Sequence, residues 1–384
     1  MDIRITPHLL EGTISVIPSK SQAHRYLICA AFGTHPVRIF CPGTNSDMEA
    51  TADCLRALGA EISVDPLGFR VNPVRTPPEQ ALLPCRDSGS TLRFLLPVAG
   101  ALGVDAVFQM EGRLPRRPLS PLWEEMERMG CRLTRSAEDT VRRTGKLRPG
   151  HYTLDGSVSS QFATGLLLAF PLLNGPCELT LTGKPASRPY LAMTRQALAL
   201  FAENPSSVTV EGDWSTGAFW LAANALGSRL RLQGLCQGSC QGDRAAAVLI
   251  PALHRFQTIS AADIPDLIPI LAVVAACHEG ACFTQTGRLR LKESDRVDAI
   301  CRMLHSLGGS AEAEGDTLTV HGTGLAGGEV DPFRDHRIAM AAAIASTVCR
   351  EPVVIRDAEC VAKSNPRFWE DFAESGGIYE QYIR

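Results

Sequence analysis

Small polar residues, several with a lysine or arginine beside them, precede a run of apolar residues at six places in this 384-residue sequence. Each run is typical of a buried helix, as in Leu267–Cys277, so the polar residues are predicted to lie where a helix begins. A helix start presents unpaired N–H groups and a partial positive charge, which favour anions. The six predicted anion-binding starts are Ser19–Arg25, Asp87–Thr91, Gly156–Gln161, Gly212–Thr216, Asp263–Asp266 and Arg334–Arg337.

The densest group of charges is the run from Lys292 to Arg296, whose two ends are four residues apart and share a helical face. On its own, this run is typical of an exposed, salt-bridged helix start, and Asp266 is typical of a helix N-cap. Arg337 precedes an apolar run, and a buried arginine needs a carboxylate or phosphate partner. Together, the cations and the two carboxylates Asp266 and Glu293 favour two anionic substrates joined by proton transfers.

The overall charge is close to neutral, because 38 Lys and Arg oppose 41 Asp and Glu and give a formal net charge of -3. This balance excludes a global basic surface for nucleic acid and leaves anion binding to local clusters. The thirteen cysteines lack the spacing of a zinc site, and Asp87–Thr91 lacks the Gly-Lys-Ser/Thr of a nucleotide-binding loop. We therefore predict reduced thiols, no metal and no cofactor.

The apolar segments of the sequence predict neither a targeting signal nor a membrane-spanning helix. The start Met1–Arg4 lacks the apolar core of a signal peptide. The longest apolar runs reach only about a dozen residues, whereas a membrane span needs roughly 20. We therefore predict a cytoplasmic protein with no membrane partner.

Short β-rich segments alternate with the predicted buried helices, and amphipathic helices lie between them. The predicted strands include Arg38–Phe40, Ala106–Met110, Glu178–Thr182, Leu230–Leu232 and Val353–Ile355, and the amphipathic helices include Trp123–Met129 and Val297–Leu307. A second repeated phrase follows a strand at Gly112–Pro118, Gly183–Pro189 and Gly287–Glu293. The repetition predicts an α/β (α+β) fold in which a βαβαββ unit occurs six times, as two domains of three units each.

Taken in order along the chain, the polar motifs resemble those of the 5-enolpyruvylshikimate-3-phosphate synthase family, which are 3-phosphoshikimate 1-carboxyvinyltransferases. The motifs are Ser19-Lys20-Ser21 with Arg25, Ser88-Gly89-Ser90 with Arg93, Ser159-Ser160-Gln161, Ser187 with Tyr190, the run Lys292–Arg296, and Asp335-His336-Arg337. Each motif alone is modest evidence, whereas the ordered set is specific and covers the chain from Ser19 to Lys363.

The resemblance implies a two-domain inverse α/β barrel with the active site in the cleft between the domains. Residues 18–211 would form the domain that binds mainly shikimate 3-phosphate. Residues 1–17 plus 212–384 would form the domain that carries the proton-transfer residues and the carboxylate clamp. The resemblance also implies a monomer that closes on its first substrate and uses no cofactor.

The implied activity is transfer of the enolpyruvyl group of phosphoenolpyruvate to the 5-hydroxyl of shikimate 3-phosphate. Shikimate 3-phosphate would be bound by Lys20, Ser21, Arg25, Ser159, Ser160, Gln161, Ser187, Tyr190, Asp266 and Lys292. Phosphoenolpyruvate would be bound by Lys20, Gly89, Arg117, Gln161, Arg296, Arg337 and Lys363. The implied catalytic residues are Lys20, Asp266, which contacts the 5-hydroxyl, and Glu293, which handles the proton at the methylene carbon.

Three positions depart from the family pattern. Ile17-Pro18 replaces the usual Pro-Gly, Phe94 stands where some members carry Pro, and Arg288 stands where some carry a neutral or acidic residue. None of these changes removes an assigned charge. Gly89 lacks a methyl group that would crowd the phosphoenolpyruvate pocket, so we predict sensitivity to glyphosate, an inhibitor of this family.

Three alternatives remain open from the sequence. The sister UDP-N-acetylglucosamine 1-carboxyvinyltransferase usually carries Asn after the early lysine and a loop cysteine, whereas here Ser21 follows Lys20 and Cys131 follows a helix. A non-catalytic anion-binding module would be expected to lose its carboxylates first. An RNA-end cyclase would need a nucleotide site, a nucleophilic histidine and a basic face.

Overall fold

A computed structural model describes residues 1–184 and 187–382 of the chain. The chain divides into two compact units. Pro18–Glu211 is termed the inserted unit, and Met1–Ile17 together with Gly212–Arg384 is termed the split unit. Each unit has its own hydrophobic core.

The helices and strands follow one another as expected for a repeated α/β chain. The split unit begins with β1 (Asp2–Thr6) and β2 (Glu11–Ser15). The inserted unit contains α1 (Lys20–Ala31), β3 (Val37–Phe40), α2 (Ser46–Ala57), β4 (Glu61–Asp65), β5 (Gly68–Asn72), β6 (Gln80–Arg86), α3 (Gly89–Leu102), β7 (Asp105–Met110), α4 (Leu122–Arg128), β8 (Cys131–Ala137), β9 (Thr140–Gly145), β10 (Gly150–Asp155), α5 (Ser160–Ala169), β11 (Cys177–Thr182), α6 (Arg188–Ala202) and β12 (Ser207–Thr209). The split unit resumes with α7 (Trp214–Ala225), β13 (Arg229–Gln233), α8 (Ala246–Ala252), β14 (Gln257–Ser260), α9 (Ile268–Ala276), β15 (Gly280–Thr284), α10 (Arg296–Ser306), β16 (Ser310–Glu314), β17 (Thr317–His321), β18 (Gly328–Val330), α11 (His336–Ala345), β19 (Val353–Ile355), α12 (Phe368–Glu374) and β20 (Ile378–Tyr382).

Four sheets have four strands and share one arrangement, in which two parallel strands are extended by an antiparallel pair of strands. This pair is a hairpin in three of the sheets and consists of β1 and β20 in the fourth. Their strand orders are β12-β3-β5-β4, β6-β7-β9-β8, β14-β15-β17-β16 and β18-β19-β1-β20. In two of these sheets, β6-β7-β9-β8 and β14-β15-β17-β16, the four strands follow one another along the chain. In the other two, β12 joins β3 from the end of the inserted unit, and β1 joins β19 and β20 from the start of the chain. This is the predicted βαβαββ unit, and the predicted α/β fold class is confirmed.

Two units are shorter than predicted. Their sheets, β10-β11 and β2-β13, contain only two parallel strands. Within the described residues, α6 is followed directly by β12 and α8 directly by β14, so the hairpin of the complete units has no counterpart at these two places.

All six predicted anion-binding starts lie where helices begin, at α1, α3, α5, α7, α9 and α11. These helices carry few polar side chains beyond their first turn because they pack in the interior of their unit. In α9 every residue from Ile268 to Ala276 is buried, and in α11 every residue from His336 to Ala345 is buried. The polar residues of each start are therefore held by a helix whose remainder is fixed in the core.

The described residues include no membrane-spanning helix and no metal-binding cluster, and their cysteines are free. No helix among them has both the length and the apolar character that crossing a bilayer requires. The same part of the chain contains no cluster of three His, Cys, Asp or Glu arranged to hold a metal ion. The thirteen cysteines are free thiols, and burial raises the pKa of Cys29 and Cys41 to about 12.

Candidate active site

Lys20, the first residue of α1, forms an ion pair with Asp47 in the first turn of α2. The Lys20 Nζ to Asp47 Oδ2 distance is 2.9 Å, and both side chains are mostly buried. Asn45 holds the start of α2 by accepting a hydrogen bond from the Met48 N–H at 3.1 Å. A mostly buried lysine needs a counter-charge, and in this structure Asp47 supplies it.

The starts of α3 and α5 are joined through Gln161. Its Oε1 accepts a hydrogen bond from Arg93 Nη1 at 2.6 Å, and its Nε2 donates to Ser90 Oγ at 3.0 Å. Arg93 also donates to the Pro118 carbonyl at 2.8 Å, next to Arg117. Two predicted anion-binding starts and the loop that carries Arg117 are thereby brought together.

Gly89 begins α3 against the guanidinium of Arg117. A Cβ added at Gly89 would lie 2.8 Å from Arg117 Nη1 and 3.2 Å from its Cζ. The absence of a side chain at Gly89 therefore lets this guanidinium lie against the helix start, and a Cβ there would displace it. The N–H groups of a helix start and a guanidinium together are suited to a phosphate group.

Arg25, one turn into α1, is buried among hydrogen-bond acceptors from α1 and α6. It donates to the Ser21 carbonyl at 2.5 Å, to Thr194 Oγ1 at 2.9 Å and to the Tyr190 carbonyl at 3.0 Å. Its guanidinium also lies 5.1 Å from the centre of the Phe94 ring. These contacts bring Ser21 and Arg25 of α1 close to Tyr190 in the first turn of α6, and all three residues belong to the predicted shikimate 3-phosphate site.

Three serines occupy the starts of α5 and α6. Ser159 caps α5 by accepting a hydrogen bond from the Gln161 N–H at 3.3 Å, and Ser160 is the first residue of that helix. Ser187 precedes α6 with φ of 55°, a left-handed conformation that a non-glycine residue seldom adopts. The preceding Pro185 and Ala186, which belong to the repeated phrase Gly183–Pro189, lie outside the described residues.

Asp266 is the centre of the charged cluster in the split unit. Its carboxylate is 2.7 Å from Arg296 Nη1, 3.1 Å from Arg337 Nη2 and 3.5 Å from Lys292 Nζ. Burial alone would raise the pKa of Asp266, but Arg337, Lys292 and Arg296 outweigh it and hold that pKa well below its ordinary value. The alternative of a helix N-cap is wrong, because α9 begins at Ile268 and Asp266 pairs with cations instead.

Arg296 forms ion pairs with three carboxylates, one of which is Asp266. Its Nη2 donates to Glu293 Oε2 at 2.8 Å, and its Nε donates to Asp335 Oδ2 at 2.8 Å. Asp335 is completely buried and caps α11, where its Oδ1 accepts from the Arg337 N–H at 3.0 Å. The exposed helix start considered from the sequence is therefore wrong for Arg296, which is 1% exposed.

The start of α7, to which the sequence assigned no ligand, contacts Arg337. Ser215 Oγ accepts a hydrogen bond from Arg337 Nη2 at 3.0 Å and donates its own proton to Asp213. Asp213 in turn caps α7 by accepting from the Thr216 N–H at 3.0 Å. Arg337 is thus oriented by α7 on one side and by Asp266 on the other.

Lys363 ends a short 3-10 segment, Ala358–Lys363, in the split unit and is half-buried. Its predicted contact with phosphate comes from the resemblance. In the split unit, the contacts described above join Asp266, Lys292, Glu293, Arg296 and Arg337 in one cluster. In the inserted unit they form three groups, which are Lys20 with Asp47, Arg25 with its acceptors, and Gly89 and Gln161 with the arginines Arg117 and Arg93.

Several partners that hold these residues were not identified from the sequence. They are Asp47, Thr194, Ser215 and Asp335 in its role as the partner of Arg296. Asp47 follows Asn45-Ser46, a recognisable helix start, so a signal for it was present. The other partners depend on packing between elements that are far apart in sequence.

The pKa of Lys292 is lowered to about 8, chiefly by burial and despite the attraction of Asp266. The ammonium group is therefore lost as the pH rises through about 8, and with it a cation for an anionic substrate. We expect kcat/KM to fall on the alkaline side with a midpoint near this value, and Lys292→Arg to move that fall to higher pH because guanidinium stays charged. A pH–rate profile of each variant measures this.

Lys146→Arg is the matched control, because Lys146 is exposed and distant in sequence from these motifs. It should reproduce the wild-type profile. An alkaline fall at the same pH in Lys292→Arg would contradict the assignment of that fall to Lys292.

Comparisons with known proteins identify the family of this chain. The family model described as EPSP synthase (3-phosphoshikimate 1-carboxyvinyltransferase) matches residues 5–372. A 3-phosphoshikimate 1-carboxyvinyltransferase of Clostridium kluyveri is 36% identical over 423 residues, covering 99% of this chain and 98% of that protein. One from Clostridium perfringens strain 13 is 35% identical over 418 residues, covering 98% and 99%.

Solved structures share the fold. The EPSP synthase from Acinetobacter baumannii superposes with a TM-score of 0.80 at 22% identity, covering 99% of this chain and 100% of that one. The enolpyruvyl transferase NikO from Streptomyces tendae gives a TM-score of 0.73 at 18% identity, covering 100% and 99%. The resemblance drawn from the sequence motifs is confirmed by the match over nearly the whole chain, and the protein belongs to the EPSP synthase family.

Proposed function

We propose that this protein transfers the enolpyruvyl group of phosphoenolpyruvate to the 5-hydroxyl of shikimate 3-phosphate, a step of aromatic amino acid biosynthesis. The observation that carries the proposal is the placement of two carboxylates, Asp266 and Glu293, on the single guanidinium of Arg296, at 2.7 and 2.8 Å. The reaction needs one group at the attacking hydroxyl and another at the methylene carbon. A shared arginine keeps both carboxylates at a fixed separation.

The inserted unit supplies most of the proposed contacts to shikimate 3-phosphate. Ser159, Ser160 and Ser187 bind its phosphate, and Ser21 and Arg25 bind its carboxylate and ring. Gln161 and Tyr190 also lie along this substrate, and Asp266 and Lys292 of the split unit complete the set. The buried acceptors around Arg25 support this assignment, because they hold the guanidinium in one orientation.

Phosphoenolpyruvate is bound at its phosphate by Lys20, Gly89, Arg117 and Lys363, and at its carboxylate by Arg296 and Arg337. Gln161 also contacts this substrate. Support comes from the close contact of Gly89 with Arg117 and from the hydrogen bonds of Gln161 to the α3 start. These groups neutralise the charge that develops on the departing phosphate.

The proposed reaction is an addition followed by an elimination. Glu293 in its protonated form donates a proton to the methylene carbon. The 5-hydroxyl gives its own proton to Asp266 and adds to the neighbouring carbon, which forms a tetrahedral ketal phosphate. Lys20 and the other cations then stabilise phosphate as it leaves. Glu293 takes a proton back from the methyl group, and the enol ether product forms.

Arg337 donates a hydrogen bond to the Asp266 carboxylate at 3.1 Å. A substrate carboxylate that binds Arg337 therefore competes with Asp266 for its hydrogen bonds. Since Arg337 is the leading cation that keeps the pKa of Asp266 low, this exchange makes Asp266 a better proton acceptor at the moment when phosphoenolpyruvate is present.

The activity is tested by phosphate release from phosphoenolpyruvate in the presence of either of two acceptors. We expect release with shikimate 3-phosphate and none with UDP-N-acetylglucosamine. Release with the second acceptor alone would favour the sister transferase, and release with neither would favour a non-catalytic anion-binding module.

Gly89→Ala should raise the KM for phosphoenolpyruvate by about 10-fold or more, because the added Cβ pushes the Arg117 guanidinium away from the helix start. The KM for shikimate 3-phosphate should stay within about twofold. We expect the wild type to be inhibited by glyphosate, and the Gly89→Ala variant to be inhibited less.

Gly33→Ala is the control, since a Cβ there meets carbonyl oxygens only at ordinary contact distances of 3.4 and 3.5 Å. It should leave both KM values unchanged. A wild-type rate that does not respond to glyphosate, or equal KM changes for both substrates in Gly89→Ala, would contradict the assignment of Gly89.

A further inference from the structure

A chain of four buried side chains crosses three helices of the inserted unit, and no role assigned above uses it. His24 Nδ1 of α1 is 2.7 Å from Thr51 Oγ1 of α2, which is 2.7 Å from Thr91 Oγ1 of α3. Thr91 Oγ1 donates to Ser88 Oγ, also at 2.7 Å. All four residues have an exposed fraction of 0%. Three short hydrogen bonds therefore join α1, α2 and α3 in the core.

The His24–Thr51 hydrogen bond lies one helical turn further along α1 and α2 than the Lys20–Asp47 ion pair. Lys20 and His24 are four residues apart on α1, and Asp47 and Thr51 are four residues apart on α2. Residues at this spacing lie above one another on the same face of a helix. The ion pair and the His24–Thr51 hydrogen bond are thus two successive cross-links between the same helices, and together they fix both the spacing and the rotation of α1 against α2.

The other end of the chain fixes the start of α3. Ser88 caps this helix by accepting a hydrogen bond from the Thr91 N–H at 3.3 Å, while Thr91 Oγ1 lies 3.5 Å from the Asp47 carbonyl. The next residue, Gly89, carries the first N–H of the helix and contacts Arg117. The hydroxyls of Thr51 and Thr91 therefore determine where the α3 start lies relative to Lys20.

The last hydrogen bond of this series, from Thr91 to Ser88, determines which atom is the donor in the other two. Thr91 uses its hydroxyl proton on Ser88, so it must accept from Thr51, and Thr51 must accept from His24 Nδ1–H. The His24 Nε2 atom is buried without a hydrogen-bond partner. Burial lowers the pKa of His24 to about 3, so the ring stays neutral at working pH. His24 is therefore a fixed donor and carries no proton to the substrate.

We propose that His24, Thr51 and Thr91 are positioning residues for phosphoenolpyruvate, which hold Lys20 and the first N–H groups of α3 in the spacing that its phosphate requires. This inference rests on the proposed function. A buried polar chain gives little stability beyond an apolar core of the same shape, so its value lies in fixing one geometry.

Thr91→Val and Thr91→Ser test the proposal. The valine variant loses the Oγ1 atom at nearly constant shape, and we expect the KM for phosphoenolpyruvate to rise about 10-fold while the KM for shikimate 3-phosphate stays within about twofold. The serine variant keeps Oγ and should restore the KM for phosphoenolpyruvate to within about twofold of wild type.

Tyr152→Phe is the matched control for stability. It removes a hydroxyl of the same unit whose hydrogen bond to the Arg148 carbonyl, at 2.7 Å, belongs to no proposed binding group. It should lower the melting temperature and leave both KM values unchanged. If Thr91→Val behaves in the same way, the positioning role is overturned.

The proposed function and the positioning role fail differently. A wild type that releases no phosphate with shikimate 3-phosphate overturns the function and the link to phosphoenolpyruvate together. Wild-type turnover with an unchanged KM in Thr91→Val overturns the positioning role alone. Imidazole ¹⁵N shifts supply a readout that needs no turnover, since His24 should be the neutral Nδ1–H tautomer between about pH 5 and 8. An Nε2–H tautomer would contradict donation from His24 to Thr51 and with it the role of His24 as a fixed donor.

Discussion

Replacing Glu293 by glutamine should lower kcat by about 10²- to 10⁴-fold and leave both KM values within about twofold. The amide can still accept a hydrogen bond from Arg296, which Glu293 contacts at 2.8 Å. It cannot give a proton to the methylene carbon or take one back. Steady-state kinetics with each substrate varied in turn measures the expected loss of turnover without loss of binding.

Glu312→Gln provides the control for this substitution. Glu312 is an exposed glutamate of β16 whose contact is with His321, at 3.3 Å. Its replacement should leave kcat within about twofold. Unchanged turnover in Glu293→Gln, or a rise in KM that accounts for the whole loss of kcat/KM, would exclude Glu293 as the proton-transfer group.

Replacing Asp266 by asparagine should reduce both turnover and stability. The change leaves Lys292, Arg296 and Arg337 without the carboxylate that lies among them. We expect kcat/KM to fall by about 10²-fold or more. Because breaking a buried ion pair leaves unpaired charge, the free energy of unfolding at pH 7 should fall by about 3–5 kcal/mol. Kinetics and urea unfolding measure the two effects.

The pH dependence of this loss distinguishes Asp266 from a general packing effect. Its folded-state pKa is held well below the ordinary value of 3.8, so its contribution is present above that value and is lost as the pH falls through the folded-state pKa. The stability difference between wild type and variant should therefore be constant from about pH 5 to 7 and shrink only below about pH 4. A difference that closes above pH 5 would contradict this account.

Asp65→Asn is the control for the stability measurement. Asp65 pairs with Arg38 at 2.6 Å, but its side chain is 37% exposed. An ion pair that solvent can reach contributes only about 0–1 kcal/mol. A similar loss in both variants would show that the cluster around Asp266 has no special importance for stability.

The helix starts could be predicted from the sequence because each combines capping residues with a long apolar run. Leu267–Cys277 is an example, since α9 covers Ile268–Ala276. The shortened units could not be predicted in this way. The repeat was recognised from its helix starts and Gly turns, and these are present at Gly156–Gln161 and Gly183–Pro189 although the hairpin that should follow α6 is missing from the described residues.

The site was predicted in its charges but not in its pairing. The sequence indicated that Arg337 needs a carboxylate or phosphate partner, and the resemblance assigned substrate groups to both Arg337 and Lys20. The structure pairs them with Asp266 and Asp47, so carboxylates of the protein itself neutralise these two cations. Such pairs join residues far apart in the chain, 71 positions for Arg337 and Asp266, and local patterns carry no signal for them.

The two shortened sheets have a consequence for the behaviour of the protein at high concentration. In the complete sheets the second strand lies between two others, and β7 buries Ala106 and Phe108 fully. In the shortened sheets, β11 and β13 pair with one strand each in the described part of the chain, so each leaves an edge that could add a strand from another molecule. Three charged side chains are exposed on these strands, namely Glu178 on β11 and Arg229 and Arg231 on β13. Their charges oppose pairing with a strand of another molecule and therefore disfavour aggregation.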